Sequence, residues 1–161
     1  NPGETIQYTI TVDNTQANTV AGMVTFNDVP GANTNLVVGS VITNQGSVTS
    51  GNTVGDNTVS VDIGDVAPNS PVTITFNVVI SPFFGGTQVC NQGVATGSNF
   101  ANVSSDDPDT GASGDATCTP VVQLPGGPIP TMSQWAFFLF GLTTFTVFMV
   151  CLYNVKKRQV I

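Results

Sequence analysis

The sequence predicts an all-β sandwich followed by a single C-terminal transmembrane helix. Three observations carry that expectation: repeated period-two alternation of apolar and polar residues, turn residues between the alternating runs, and one uncharged apolar stretch near the end of the 161-residue chain. Composition agrees, because only 8% of residues are charged and the rest is dominated by Asn, Thr, Gly, Ser and Val, which suit strands and turns better than helices.

From Glu4 to Val12, Ile6, Tyr8, Ile10 and Val12 occupy one face and Thr5, Gln7, Thr9 and Thr11 the other, the pattern of a half-buried strand. Asp13-Asn14 and Ala17-Asn18 supply turn chemistry, and a second strand over Val20 to Phe26 ends at Asn27-Asp28-Val29-Pro30-Gly31. Leu36 to Ile42 and Val48 to Thr53 are shorter strands. Val59, Val61 and Ile63 alternate with Ser60 and Asp62 until Gly64-Asp65 opens a turn that reaches Pro68-Asn69. In the clearest strand, Val72, Ile74, Phe76, Val78 and Ile80 alternate with Thr73, Thr75, Asn77 and Val79; Pro82 and Gly85-Gly86 end it. Gln88 to Thr96 and Ala116 to Val122 complete the set, separated by an acidic loop from Ser104 to Gly114. Roughly seven to nine strands at roughly 8–12-residue spacing imply an immunoglobulin-like β-sandwich over residues 1–122, with an open barrel as the alternative.

Residues 123–134 read as a linker, since Leu124-Pro125-Gly126-Gly127-Pro128-Ile129-Pro130 holds three prolines that remove donors and two glycines that weaken order. Ala136 to Val155 is a run of 20 residues without a charge. At ~1.5 Å per residue it reaches ~30 Å, enough to cross a hydrocarbon core. Trp135 and Tyr153 sit where interfacial aromatics belong, so residues 135–155 are the expected span. Lys156, Lys157 and Arg158 follow at once and, by the positive-inside rule, make residues 156–161 a cytoplasmic tail with the β domain periplasmic or extracellular. Asn1-Pro2-Gly3-Glu4 leads straight into the first strand, so we expect a mature or partial product of a longer precursor.

Charge is divided along the chain. All ten acidic residues precede residue 116, and all three basic residues lie in the tail. A domain without Lys, Arg or His cannot neutralise phosphates, which argues against nucleic acid as a partner. The absence of histidine removes the commonest general base and the commonest transition-metal ligand, and with them any Ser-His-Asp or Cys-His centre. An enzyme would have to work with carboxylates alone, as in glycoside hydrolysis, and no pair can be nominated. No catalytic residue and no enzymatic activity are expected.

Cys90 and Cys118 in an exported β domain read as one disulfide, two free buried thiols being the alternative. They fall on what should be the last two strands, neighbours in most such sandwiches, and a bridge would close a loop of 27 intervening residues, worth ~3 kcal/mol. Asp106, Asp107, Asp109 and Asp115 place four carboxylates within ten residues, a candidate calcium site in a compartment rich in that ion. The spacing is not that of an EF-hand and Pro108 limits convergence, so a solvated acidic loop is the expected state. No other cofactor is expected. In the span, Phe137, Phe138, Phe140, Phe145 and Phe148 suit lipid, pigments, quinones or neighbouring helices. Thr143, Thr144 and Thr146 can bond across helices and favour a helix partner.

Two stretches carry a resemblance to known families. Asn1-Pro2-Gly3-Glu4-Thr5-Ile6-Gln7-Tyr8-Thr9-Ile10-Thr11-Val12-Asp13-Asn14 resembles the opening of the bacterial conserved-repeat domain once catalogued as domain-of-unknown-function 11. Cys90-Asn91-Gln92-Gly93-Val94-Ala95 and Ser105-Asp106-Asp107-Pro108-Asp109-Thr110 are similar to the end of such repeats. That resemblance implies an immunoglobulin-like sandwich in an envelope or surface protein, without enzymatic activity. Ile129-Pro130-Thr131-Met132-Ser133-Gln134-Trp135, then an apolar helix, then a basic cluster, resembles the IPTL-type C-terminal sorting signal of Gram-negative bacteria, which implies recognition by an exosortase-like transpeptidase. Met132 stands where that family has Leu, and Ala136 where it has Gly.

These features lead us to expect a non-catalytic accessory subunit of a bacterial inner-membrane complex, photosynthetic or respiratory. Residues 135–155 would meet the bilayer and other transmembrane subunits, and the sandwich would meet periplasmic protein surfaces. The alternative is a cell-surface or adhesin-like repeat protein carrying a sorting signal.

Overall fold

The computed structural model describes residues 1–15 and 18–123. Among them eleven strands form: β1 (Thr5–Val12), β2 (Ala21–Asp28), β3 (Thr34–Leu36), β4 (Ile42–Thr43), β5 (Ser47–Ser50), β6 (Val59–Val66), β7 (Val72–Ile80), β8 (Gln88–Asn91), β9 (Gly93–Thr96), β10 (Val103–Ser104) and β11 (Thr117–Pro120). The fold is all-β. One sheet runs β1-β7-β3 with β4 also on β7, a second runs β10-β9-β2-β6-β5, and β8 with β11 makes a separate two-stranded ribbon. Asn1–Leu124 is one compact unit.

Period-two alternation decides which side chains meet. In β7, Val72, Ile74, Phe76, Val78 and Ile80 are all buried, while the residues between them are half-exposed. Facing them across the interior are Val24 and Phe26 of β2 and Val59, Val61, Ile63 and Val66 of β6, so two sheets close on one core as a sandwich. Tyr8 of β1 joins that core beside its cross-strand neighbour Phe76, the ring centroids 5.5 Å apart and tilted by 40°. A second cluster of Ile80, Val89 and Val121, with Ile6 and Phe84 packed against it, roots the β8/β11 ribbon on the first sheet.

Several strand boundaries differ from the sequence expectation, each for a local reason. The strand expected over Leu36 to Ile42 is two short strands, because Gly39 at φ 88° turns the chain and Ser40 N–H donates to Val37 O. The strand expected over Val48 to Thr53 stops at Ser50, where Asp56 Oδ2 takes the N–H groups of Gly51 and Thr53 at 2.6 and 2.9 Å. Gly64-Asp65 is not a turn but the inside of β6. Gly64 at φ 76° and Met23 at φ 52° lie at a pairing irregularity between β2 and β6, and Asp65 Oδ1 accepts the Met23 N–H at 2.9 Å.

The single strand expected over Gln88 to Thr96 breaks at Gln92, with β8 pairing in the ribbon and β9 joining the second sheet beside β2. Gln92 Nε2 fastens the switch by donating to Ser105 O and Gly114 O at 3.2 and 2.7 Å. Val103–Ser104, where no strand was expected and whose Ser104 opened the expected acidic loop, adds the short β10 to β9. The two main sheets share no ladder, so the sandwich rather than the open barrel is what forms.

Candidate functional site

The most distinctive surface is the free edge of β1. β1 pairs along its whole length with β7 and with no other strand among the described residues. Its register can be phased from the bond Ile80 N–H to Glu4 O, while Asn44 N–H and Val37 N–H reach Thr73 O and Asn77 O on the far side of β7. Antiparallel bonding alternates, so the main-chain groups of Ile6, Tyr8, Ile10 and Val12 face β7. Those of Thr5, Gln7, Thr9 and Thr11 face outward and have no partner among the described residues.

A cleft of about 1050 Å³ runs beside this edge, between β1 and the β10 side of the second sheet. Half-buried Ile6, Ile10, Val12 and Phe100 and buried Val24 and Phe26 make its apolar floor, while Asp13, Asp106, Asp107 and Asp109 stand among its lining. Tyr8 also lines it, and its hydroxyl is buried with no hydrogen-bond partner. Burial pushes the Tyr8 phenol above its ordinary value; proximity to Thr119 pulls it back in part, and the Asp28 charge raises it further.

Asp28 is the polar group that sequence reasoning missed. It was expected in a turn, yet β2 continues through it and its carboxyl is buried. Asn91 Nδ2 donates to Asp28 Oδ2 at 2.7 Å, and Asn91 Oδ1 accepts the Gly31 N–H at 2.9 Å, which ties β2, the following loop and the ribbon together. Desolvation raises the Asp28 pKa, against the hydrogen bond from Asn91, and Oδ1 is left without a partner. Gly93 allows this approach, since a side chain there would collide with Phe26 and with Asp28 Oδ2. The missed signal was period two itself: Val24, Phe26 and Asp28 are alternate residues on one face.

Cys90 and Cys118 form a disulfide, Cα atoms 4.0 Å apart, directly opposite each other on β8 and β11. The bond from Val121 N–H to Thr87 O puts the cysteines at a non-hydrogen-bonded pair, the position where facing Cα atoms come closest. The bridge staples the ribbon rather than joining the two main sheets.

Three of the four acidic-loop carboxylates, those of Asp106, Asp107 and Asp115, are spent on their own loop. Asp106 Oδ1 accepts Gly114 N–H at 2.6 Å, Asp107 Oδ1 accepts Asp109 N–H at 3.1 Å, and Asp115 Oδ2 accepts the Thr110 hydroxyl at 2.8 Å. The Thr110 bond leads the causes that lower the Asp115 pKa. Among the described residues no three or more His, Cys, Asp or Glu side chains converge as a metal-ligand set, and Asp106, Asp107, Asp109 and Asp115 do not gather as one. Ile129, Pro130, Thr131, Ser133, Trp135, the span 135–155 and Lys156, Lys157 and Arg158 lie outside the described residues. Among the described residues no helix is long and apolar enough to cross a membrane.

No family model and no curated protein matches the sequence. Solved structures similar to the chain include two adhesin domains. The collagen-binding domain from a Staphylococcus aureus adhesin is 13% identical over 74% of this chain and 88% of its own, with a TM-score of 0.43. The collagen binding subdomain of the Enterococcus faecalis surface protein ACE is 10% identical over the same 74% and 88%, with a TM-score of 0.41.

Proposed function

We propose that the chain is an exported, non-catalytic β-sandwich of immunoglobulin-like type, displayed on the outer side of a bacterial membrane and tethered there by its C-terminal segment. The Cys90–Cys118 disulfide carries this reading, because such bonds form and persist in oxidising compartments. Charge and chemistry point the same way. Residues 1–123 hold ten acids, no base and no histidine, a composition that suits a soluble binding surface and offers no proton shuttle near neutral pH. The sorting-type motif Ile129 to Trp135 supports surface attachment over service inside a membrane complex.

Protease added to intact cells is expected to remove the domain while cytoplasmic proteins survive, and freshly isolated protein is expected to have Cys90 and Cys118 blocked to thiol reagents. Free thiols at both positions, or a domain shielded in intact cells, would overturn surface display. A second reading, the accessory subunit of an inner-membrane complex, is supported by Thr143, Thr144 and Thr146 in the apolar run. It requires stoichiometric co-migration with other membrane subunits in mild detergent.

A further inference from the structure

The geometry points to the cleft beside β1 as a docking site for an extended strand of another polypeptide, one with alternating apolar residues and a Lys or Arg at the end that meets the acidic loop. This goes beyond surface display and does not depend on it. Four observations converge. First, the outward main-chain groups of Thr5, Gln7, Thr9 and Thr11 offer one side of a ladder over an eight-residue strand, ~27 Å at ~3.4 Å per residue. Second, long edge strands are normally blunted by charge, proline or a bulge. β1 has none of these, since Thr5–Val12 carries no charged residue and no proline and its register is unbroken.

Third, the cleft has the shape and floor a strand needs. Its apolar residues are only half-buried along β1, and its volume of about 1050 Å³ extends from Ile6 to Asn14. Tyr8 stands among the residues that line the same space, its hydroxyl buried in the wall beneath. An added strand would complete the ladder and cover Ile6, Ile10 and Val12, the usual arrangement in which main-chain bonds give affinity and alternate side chains give selectivity.

Fourth, charge selects the occupant. Asp13, Asp106 and Asp109 are exposed at the cleft, and residues 1–123 hold no Lys, Arg or His to answer them. A second copy docking β1 to β1 would bring like charges together. A basic-ended strand meets opposite charge and is favoured.

The test uses the full chain in detergent micelles and two synthetic nine-residue peptides with one alternating Thr/Val core, ended by Lys or by Glu. Fluorescence anisotropy should show the Lys-ended peptide binding at least about tenfold more tightly than the Glu-ended one. Thr9→Pro, which removes only an outward N–H, should abolish binding while the circular dichroism of the sheet is retained. Asp109→Lys should reverse the preference without touching the edge, and so keeps the inference testable if the proline variant fails to fold. Absence of Lys-peptide binding at about 1 mM, or equal binding of both peptides, overturns it. So does a dimer of the natural protein in sedimentation that Thr9→Pro dissolves, since that would make a second copy the occupant.

Discussion

β1 and β7 are neighbours with nearly the same local pattern and opposite environments. Both alternate strictly, and Ile10 lies directly across from Ile74, Tyr8 from Phe76. In β7 the inward side chains are 0–2% exposed, because the strand is paired on both edges under a complete second sheet. In β1, Ile6, Ile10 and Val12 remain half-exposed, because the strand has one partner and an open cleft on its other side. Alternation therefore fixes the face a residue takes, whereas sheet order fixes how deeply that face is buried and which main-chain groups are satisfied. β7 is built for stability and β1 for contact.

The largest effect that would sharpen this contrast is a pair of truncations at one cross-strand position. Ile74→Ala should cost ~2–5 kcal/mol, since it opens a cavity in a closed core. Ile10→Ala should cost less than about half as much, since its site is already wet. Urea midpoints of the two variants measure this, and equal losses would mean that the cleft is closed in solution.

Removing the ribbon's bridge with Cys90→Ser and Cys118→Ser should cost about 3 kcal/mol by the loop-entropy argument. The loss should appear in the urea midpoint and be matched by reducing the natural protein. An unchanged midpoint would show that the second cluster holds the ribbon unaided.

Proline scanning separates the two edges of the first sheet. Thr9→Pro should change stability by less than about 1 kcal/mol, because its N–H faces the cleft and leaves the β1–β7 ladder intact. Thr75→Pro, on the opposite residue, faces β4 and removes a donor from a central strand. It should unfold the domain far more, as read by thermal melting, and equal melting temperatures would contradict the register assigned to β1.

The smallest effect is a pH slope. Desolvation holds the Asp28 carboxyl above its ordinary 3.8, with the Asn91 bond working against it. The folded state thus keeps that proton longer than the unfolded chain does. Its contribution to stability is fully present below pH 3.8 and is lost as pH rises through the folded value. Asp56, lowered first by the Gly51 N–H bond, and Asp115, lowered first by Thr110, act in the opposite sense and weaken the fold as pH falls. The difference between natural protein and Asp28→Asn isolates the first group. In paired denaturation curves the variant should lack the Asp28-dependent loss of stability expected above pH 3.8, and parallel curves would show that Asp28 titrates normally.

The amino-acid order alone determined a good deal. It carried the all-β class and the inward faces of β1, β6 and β7, because these follow from side-chain period within short windows. It favoured a Cys90–Cys118 bridge over two free thiols, and the facing positions of β8 and β11 decided between them. Ambiguity began where one residue serves two sheets. Gln92 breaks an unbroken-looking strand because Asn91 is drawn to Asp28 and Gly93 must lie against Phe26, partners more than 60 positions away. Gly64-Asp65 has turn composition, yet pairing with β2 absorbs it as an irregularity inside a strand.

Only the tertiary structure decided that β1 is an edge. Strand order depends on which distant segments take the two sides of β7, and β3 and β4 claim one side while nothing among the described residues claims the outer side of β1. Burial of Asp28 and the cleft over Ile6 to Asn14 follow from that same order, since a carboxyl or a main-chain N–H becomes a site only through what is, or is not, placed against it.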